Sequence, residues 1–455
     1  ASASNLLTVT LSPDCDVAGG SLVTLSGLTG SLTAGGVIGV NSSFPSLIAS
    51  SGSWNQSSGE LVVTTAGTGL VHGVSYAMSF QVRNGATEQG SPSISVKGSV
   101  LSVDGPFSGE GYFEAMVKAS GDAEGVTGGA APLLIVLPRF LVRGVGQTNP
   151  LAWASNTLRV TLRANSDLRA GSLVTVAGLV GSASVDGNVS VNASVGGAWA
   201  SVGAWEQGSG RIVVSVSGEG VVNGSEHVLW FVLRNGGVEN RTAASVSVVA
   251  SAVSVYGEFV GQGLYEVMDN GGSDAIGVSG GGNPMVVHVP GFAVRWIGQS
   301  NPFASASNVL NVTLSPDCDV LAGSSVTLTG LSGSATGDNA SLGIVSVSGS
   351  GVGSTGVWWQ EGNLTLGVTG SLSNGSVHVL SLTLRNGLVE QAARDVSVVM
   401  RVKSADGEFF GEGVAAGVGA SSAELFGVSG GSGALRVHVP GFWSASIGQS
   451  NPLAS

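Results

Sequence analysis

Residues 76–85 read Tyr-Ala-Met-Ser-Phe-Gln-Val-Arg-Asn-Gly. The phrase returns at 227–236 as His-Val-Leu-Trp-Phe-Val-Leu-Arg-Asn-Gly and at 378–387 as His-Val-Leu-Ser-Leu-Thr-Leu-Arg-Asn-Gly. Tyr76, Met78, Phe80 and Val82 alternate with more polar neighbours, and His227 to Leu233 and His378 to Leu384 repeat the pattern. Period two with one apolar face marks a half-buried strand. The Asn84-Gly85, Asn235-Gly236 and Asn386-Gly387 pairs that follow can take positive φ and predict a tight turn.

Four further anchors keep the same period. Gly-Gln-Thr-Asn-Pro ends at Pro150, and Gly-Gln-Ser-Asn-Pro ends at Pro302 and Pro452. Asn5, Asn156 and Asn308 each open a Leu/Val/Thr run. Trp54, Trp205 and Trp358 each stand two residues before a Gln. Leu137-Pro-Arg-Phe140 becomes Val289-Pro-Gly-Phe292 and Val439-Pro-Gly-Phe442. Five anchors in register exceed what a biased composition produces by chance, so a tandem repeat of about 151 residues is the reading. Cut at the phase of the chain, the repeats are 1–151, 152–303 and 304–455.

Further strands are expected at Ser21 to Ser26, Leu61 to Thr65, Ser93 to Val96 and Leu133 to Leu137, with their counterparts. Gly, Asn and Asp clusters punctuate them at the spacing of a β-sandwich. The nearest thing to a helical stretch, Ala416 to Leu425, is too rich in Gly and Ser. The expected fold class is therefore all-β: three tandem immunoglobulin-like sandwiches, each with a C-terminal β extension, head to tail. The extensions, from Asp104, Tyr256 and Asp406 onward, either enlarge each sandwich or form a small second unit. No linker separates the repeats, which favours a stiff array over beads on a string.

Composition narrows the function. The 455 residues include 74 Gly, 10% are charged, and the net charge is −12. No G-X-Y period is present, which excludes collagen. Sparse acidic charge repels nucleic acid and anionic membrane. The longest apolar run, Pro132 to Val142, contains Arg139 and is too short to span a bilayer. The opening Ala1-Ser2-Ala3 reads as a mature or excised piece of something longer.

Few residues offer chemistry. His227 and His378 replace Tyr76, and His288 and His438 stand where the first repeat has Val136, so they read as structural. No hydrolase, zinc-protease or P-loop pattern occurs, and no enzyme, cofactor or metal site is expected. Cys15 and Cys318 hold one position in Ser-Pro-Asp-Cys-Asp-Val, with Ser166 in the middle copy. Two domains apart, they cannot reach the Cα separation of about 4.4–6.8 Å that a disulfide needs. They are either unpaired and partly buried, or paired with another chain or a missing segment. The flanking Asp14, Asp16, Asp317 and Asp319 could bind Ca²⁺ but read more simply as solvated turns.

Asn-X-Ser/Thr acceptors stand at Asn41, Asn55, Asn188, Asn192, Asn223, Asn240, Asn311, Asn339, Asn363 and Asn374. That is about twice the roughly four or five that chance composition predicts for the motif. They are expected mostly in loops and glycosylated at some positions, supplying hydration that so few charges cannot. Trp54, Trp205 and Trp358 are expected to plug the cores. Trp153, Trp296 and Trp443 lie near the junctions, and Trp230 points outward.

The strings Asn308-Val-Leu-Asn-Val-Thr-Leu, Ser325-Val-Thr-Leu-Thr-Gly-Leu and Trp-X-Gln…Arg-Asn-Gly resemble the immunoglobulin-like repeats of mastigoneme-type proteins. That resemblance covers about 100 residues of each repeat and implies a secreted, glycosylated, polymerising structural protein without catalysis. The expected function is a structural subunit of an extracellular filament or surface appendage, self-associating through its β domains and carrying N-linked glycans. The alternative is a cell-surface adhesin or carbohydrate-binding array; a third is the non-catalytic arm of a wall-associated enzyme.

Overall fold

The structure, a computed structural model, describes residues 3–102, 105–255, 257, 259–403 and 410–452. Asp104, Tyr256 and Asp406, where the extensions were placed, lie outside the described residues. The fold is all-β: strands form three sheets, one of nine and two of eleven, each curled into a sandwich around its own apolar core. Among the described residues no helix is long and apolar enough to cross a membrane.

The middle unit shows how the alternating pattern becomes a sandwich. Ser155–Ala164 pairs antiparallel with Glu226–Arg234, setting Leu158 opposite Phe231, Val160 opposite Leu229 and Leu162 opposite His227. All six point inward and are buried, which is what period-two alternation dictates when one sheet face meets a core. The opposing layer is built from Leu173–Ala177, Arg211–Val216, Trp199–Glu206 and Ser247–Val253. Gly187–Ala193 joins the layers. Its first half pairs with Trp199–Glu206 and its second half with Glu226–Arg234, so one strand turns the sandwich corner. Trp54, Trp205 and Trp358 fill the cores as expected, and their indole N–H groups donate to Thr33, Ser184 and Thr336 carbonyls.

One recurring glycine accounts for part of the Gly excess. Gly27, Gly178 and Gly330 take φ of 90°, 97° and 93°, and a Cβ there would sit 2.1, 2.3 and 2.2 Å from the carbonyl oxygens of Ser93, Ser245 and Asp395. Both the left-handed backbone and the close approach exclude a side chain.

Several details differ from expectation. The short strands Glu114–Ala115, Glu266–Val267 and Ala416–Gly417 add to the same sheets, so the extensions enlarge each sandwich rather than forming a second unit. The apolar run at Leu133 to Leu137 is not a strand: only Ile135 bridges, to Gln89, and Leu133 has φ of 55°. The Asn-Gly pairs do not take positive φ; Asn235 and Asn386 are fully buried instead.

The sheets also do not break where the sequence was cut. Phe140–Gln147, from the end of the first repeat, pairs antiparallel with Ser155–Ala164 and parallel with Asp269–Asn270, inside the second sheet. Phe292–Gln299 enters the third sheet in the same way, between Ser307–Pro316 and Gly419–Ala420. A periodic sequence fixes the length of its unit but not the phase, and the strands Phe140–Gln147 and Phe292–Gln299, which precede positions 151 and 303, belong to the sheets that follow them.

Candidate functional site: the junctions between units

The most elaborate polar chemistry lies where one unit hands its chain to the next. Gln299, at the end of the incoming strand, is buried. Its amide donates to the Gly431 and Arg436 carbonyls at 2.8 and 2.9 Å. Asn308 Nδ2 donates to Gln299 Oε1 and to Asn386 Oδ1, both at 2.9 Å. Asn386 in turn donates to the Asn301 and Phe303 carbonyls at 2.8 and 2.9 Å. Gln147, Asn156 and Asn235 build the same knot in the second unit. Buried amides are costly unless satisfied, and here the partners come from segments far apart in sequence. In the first unit Asn5 Nδ2 donates to Asn84 Oδ1 at 3.0 Å, the counterpart of one bond of this knot.

A second contact recurs beside it. Asp167 and Asp319 donate their backbone N–H to the Glu124 and Ile276 carbonyls of the preceding unit, at 2.9 Å each. Their carboxylates accept the N–H of Asn223 and Asn374, whose side chains donate to the Gly125 and Gly277 carbonyls at 2.6 and 2.8 Å. Arg169 pairs with Glu124 at 2.8 Å across the first of these junctions.

The junction between the second and third units adds a titratable clasp. Buried His288 lies 3.0 Å from Asp317 Oδ1 through Nε2 and 3.3 Å from Glu239 Oε1 through Nδ1, with Arg241 beside it. Burial works against ionising Asp317, but hydrogen bonds from His288 and the Gly291 N–H outweigh it and lower the pKa. Burial likewise opposes Glu239, and the Val289 N–H and His288 hold its pKa down. A lowered carboxylate pKa contributes stability that is present at neutral pH and lost as pH falls through the folded-state value. His288, Asp317 and Cys318 present ligand atoms within 4.8 Å of one another. Both His288 nitrogens already face polar partners and the Arg241 guanidinium stands alongside, so the group is arranged as a hydrogen-bonded clasp.

The sequence-predicted residues fall around this framework. Asp16 and Asp319 each accept a backbone N–H from a distant segment, that of His72 and Asn374, 56 and 55 residues away in sequence. His227 and His378 are buried strand residues whose pKa burial pushes down. His227 accepts from the Trp199 indole at 3.1 Å. Trp153 is half-exposed with the Arg234 guanidinium 5.4 Å from its ring centroid.

Cys15 is exposed, whereas Cys318 is sealed beneath the junction, where burial drives its thiol far above the usual value. A thiol reagent added to the dispersed, folded chain is expected to titrate Cys15 rapidly and Cys318 only on unfolding. Fast labelling of both would show that the junction opens.

The glycan acceptors sit differently from expectation. Asn41, Asn55, Asn188, Asn192, Asn311, Asn339 and Asn363 lie on strands, and Asn223, Asn240 and Asn374 lie in loops. All but Asn223 and Asn363 are exposed. Outward strand positions present an Asn to solvent as well as a loop does, because successive side chains alternate faces.

No protein-family model matches the chain, and the comparison with curated proteins found no match. Among solved structures, the chain is similar to the major pilin subunit of Bacillus cereus at 11% identity and a TM-score of 0.25, covering 92% of this chain and 96% of that one. It is also similar to a putative membrane-anchored protein from Corynebacterium diphtheriae at 10% identity and a TM-score of 0.15, covering 92% and 88%. Neither is a mastigoneme-type protein, and at such scores neither likeness bears on function.

Proposed function

We propose that the chain is a structural subunit of an extracellular, glycosylated filament or surface appendage, assembled from β units stacked head to tail. The observation that carries this reading is the seam. The ends of the first and second repeats each supply a strand to the next sheet, and Leu151, Ala154 and Val278 of the second unit sit within the core cluster of the third. A chain stitched in this way resists bending between units and transmits tension through backbone ladders. Eight of the ten acceptor asparagines are exposed on the outside, where sugar hydrates a surface that carries few charges.

Negative-stain imaging of native material is expected to show filaments, and glycopeptide mass spectrometry is expected to find sugar at exposed acceptors such as Asn41 and Asn192. Dispersed monomers at high concentration, without glycan, would overturn the proposal.

A further inference from the structure

Ser79, Trp230 and Ser381 are equivalent residues, each four places before the arginine of Arg-Asn-Gly and each on the outward side of its strand. All three have an acceptor asparagine as a direct cross-strand partner. Asn41 lies opposite Ser79 and Asn192 opposite Trp230, both on the strand that turns the sandwich corner. In the third unit Val345 takes this place on the corner strand. The acceptor reappears on the other side of the same partner, as Asn311 opposite Ser381. The sequence period does not relate Asn311 to Asn41 or Asn192, so the three positions coincide only once the sheets are formed. The remaining acceptors recur at matching places in two units at most.

The local chemistry suits modification. The three asparagines are exposed. Asn41 and Asn192 commit no side-chain atom to a hydrogen bond, and Asn311 commits only its Oδ1, which accepts from the Ser381 hydroxyl. Nδ2, the atom that carries an N-linked sugar, is uncommitted in each. The neighbours leave room for a substituent. Asn311 stands between Ser381 and Gly298, and Asn41 faces Ser79. Asn192 faces Trp230, a partly exposed ring whose flat apolar face can pack on the C–H groups of a sugar.

Asn223 and Asn374 are built for a different purpose. Their Nδ2 groups donate across the junctions to the Gly125 and Gly277 carbonyls at 2.6 and 2.8 Å. The space there is closed: a Cβ added to Gly125 or Gly277 would sit 2.8 or 2.9 Å from the Cβ of Asn223 or Asn374. A sugar on either amide would hold two units apart.

We infer that Asn41, Asn192 and Asn311 are one sugar-bearing place repeated once in each unit, and that Asn223 and Asn374 stay bare. The group attached is an N-linked oligosaccharide, and its donor is a lipid-linked oligosaccharide diphosphate. The transfer forms a bond from Nδ2 to the anomeric carbon and breaks the bond from that carbon to the diphosphate. The lipid diphosphate leaves with the electron pair, and Nδ2 releases one proton. Trp230 is a positioning residue for the sugar on Asn192. This rests on the extracellular, glycosylated reading above and selects its sites.

Glycopeptides from native material are expected to carry sugar at Asn41, Asn192 and Asn311 and none at Asn223 or Asn374. Ser43→Ala, Ser194→Ala and Thr313→Ala break the acceptor motif but keep the asparagine. Each should lower the mass of the secreted chain by one oligosaccharide, whereas Ser225→Ala and Ser376→Ala should leave the mass unchanged. Trp230→Ala should lower the melting temperature more in the glycosylated chain than after enzymatic removal of the sugar; equal shifts would overturn the role given to Trp230. Sugar at Asn223 or Asn374, or sugar elsewhere with Asn41, Asn192 and Asn311 bare, would overturn the inference. Filaments built from chains bare at all three positions would overturn it and leave the structural-subunit reading standing. Dispersed chains that carry sugar at all three would support it and sink that reading.

Discussion

Ile297→Asp is expected to unfold the third unit while the first stays folded. Ile297 is fully buried on the strand that the second repeat passes into the third sheet, opposite Val312. Losing its apolar burial costs about 1.5–3 kcal/mol. A carboxylate in the same place sits within an apolar cluster, and burying it there adds several kcal/mol more, about the scale known for unpaired buried charges. The sum rivals the roughly 5–15 kcal/mol by which a domain is stable at all. Calorimetry should show loss of part of the transition, and Cys318, buried in the same core, should become reactive under native conditions. An unchanged melting profile with an inert Cys318 would show that the incoming strand is not integral to the unit. Ile297→Val is the control: the second unit has Val145 at this place, and the cost should be about 0.5–1.5 kcal/mol.

What could be read from the sequence was whatever depends on near neighbours. Tyr76–Arg83 alternates inward and outward as its pattern requires, and the three core tryptophans are where an apolar anchor was expected. Phase was not legible. Phe140–Gln147 belongs to the second sheet because of a ladder with Ser155–Ala164 and a parallel pairing near residue 269, and nothing local marks that allegiance. Leu133–Leu137 looked like a strand by composition, yet Leu133 is buried through a left-handed turn instead of a ladder. The acceptor asparagines were assigned to loops from the turn preference of Asn, but Asn41, Asn192 and Asn311 lie on strand faces where the sheet, not propensity, sets the backbone.

The Arg-Asn-Gly motif is the sharpest case, and it carries the other large prediction. Asn-Gly is a local turn signal, so Asn386 was assigned to a turn. Its role is set by Asn308, 78 residues away, and through Asn308 by Gln299. Asn308→Ala is expected to remove the donor from Gln299 Oε1 and Asn386 Oδ1 and the acceptor from the Asn301 N–H, all three in the junction interior. Each stranded polar group costs about 1–3 kcal/mol, so the loss should be about 3–9 kcal/mol and lower the melting temperature of that unit by roughly ten degrees or more. Asn5→Ala, at the corresponding place in the first unit, strands Asn84 Oδ1 in a partly buried site and should cost about 1 kcal/mol. Thermal unfolding of the two variants beside the parent makes the comparison. Equal small losses would mean that the backbone ladder alone holds the junction and the amides are incidental.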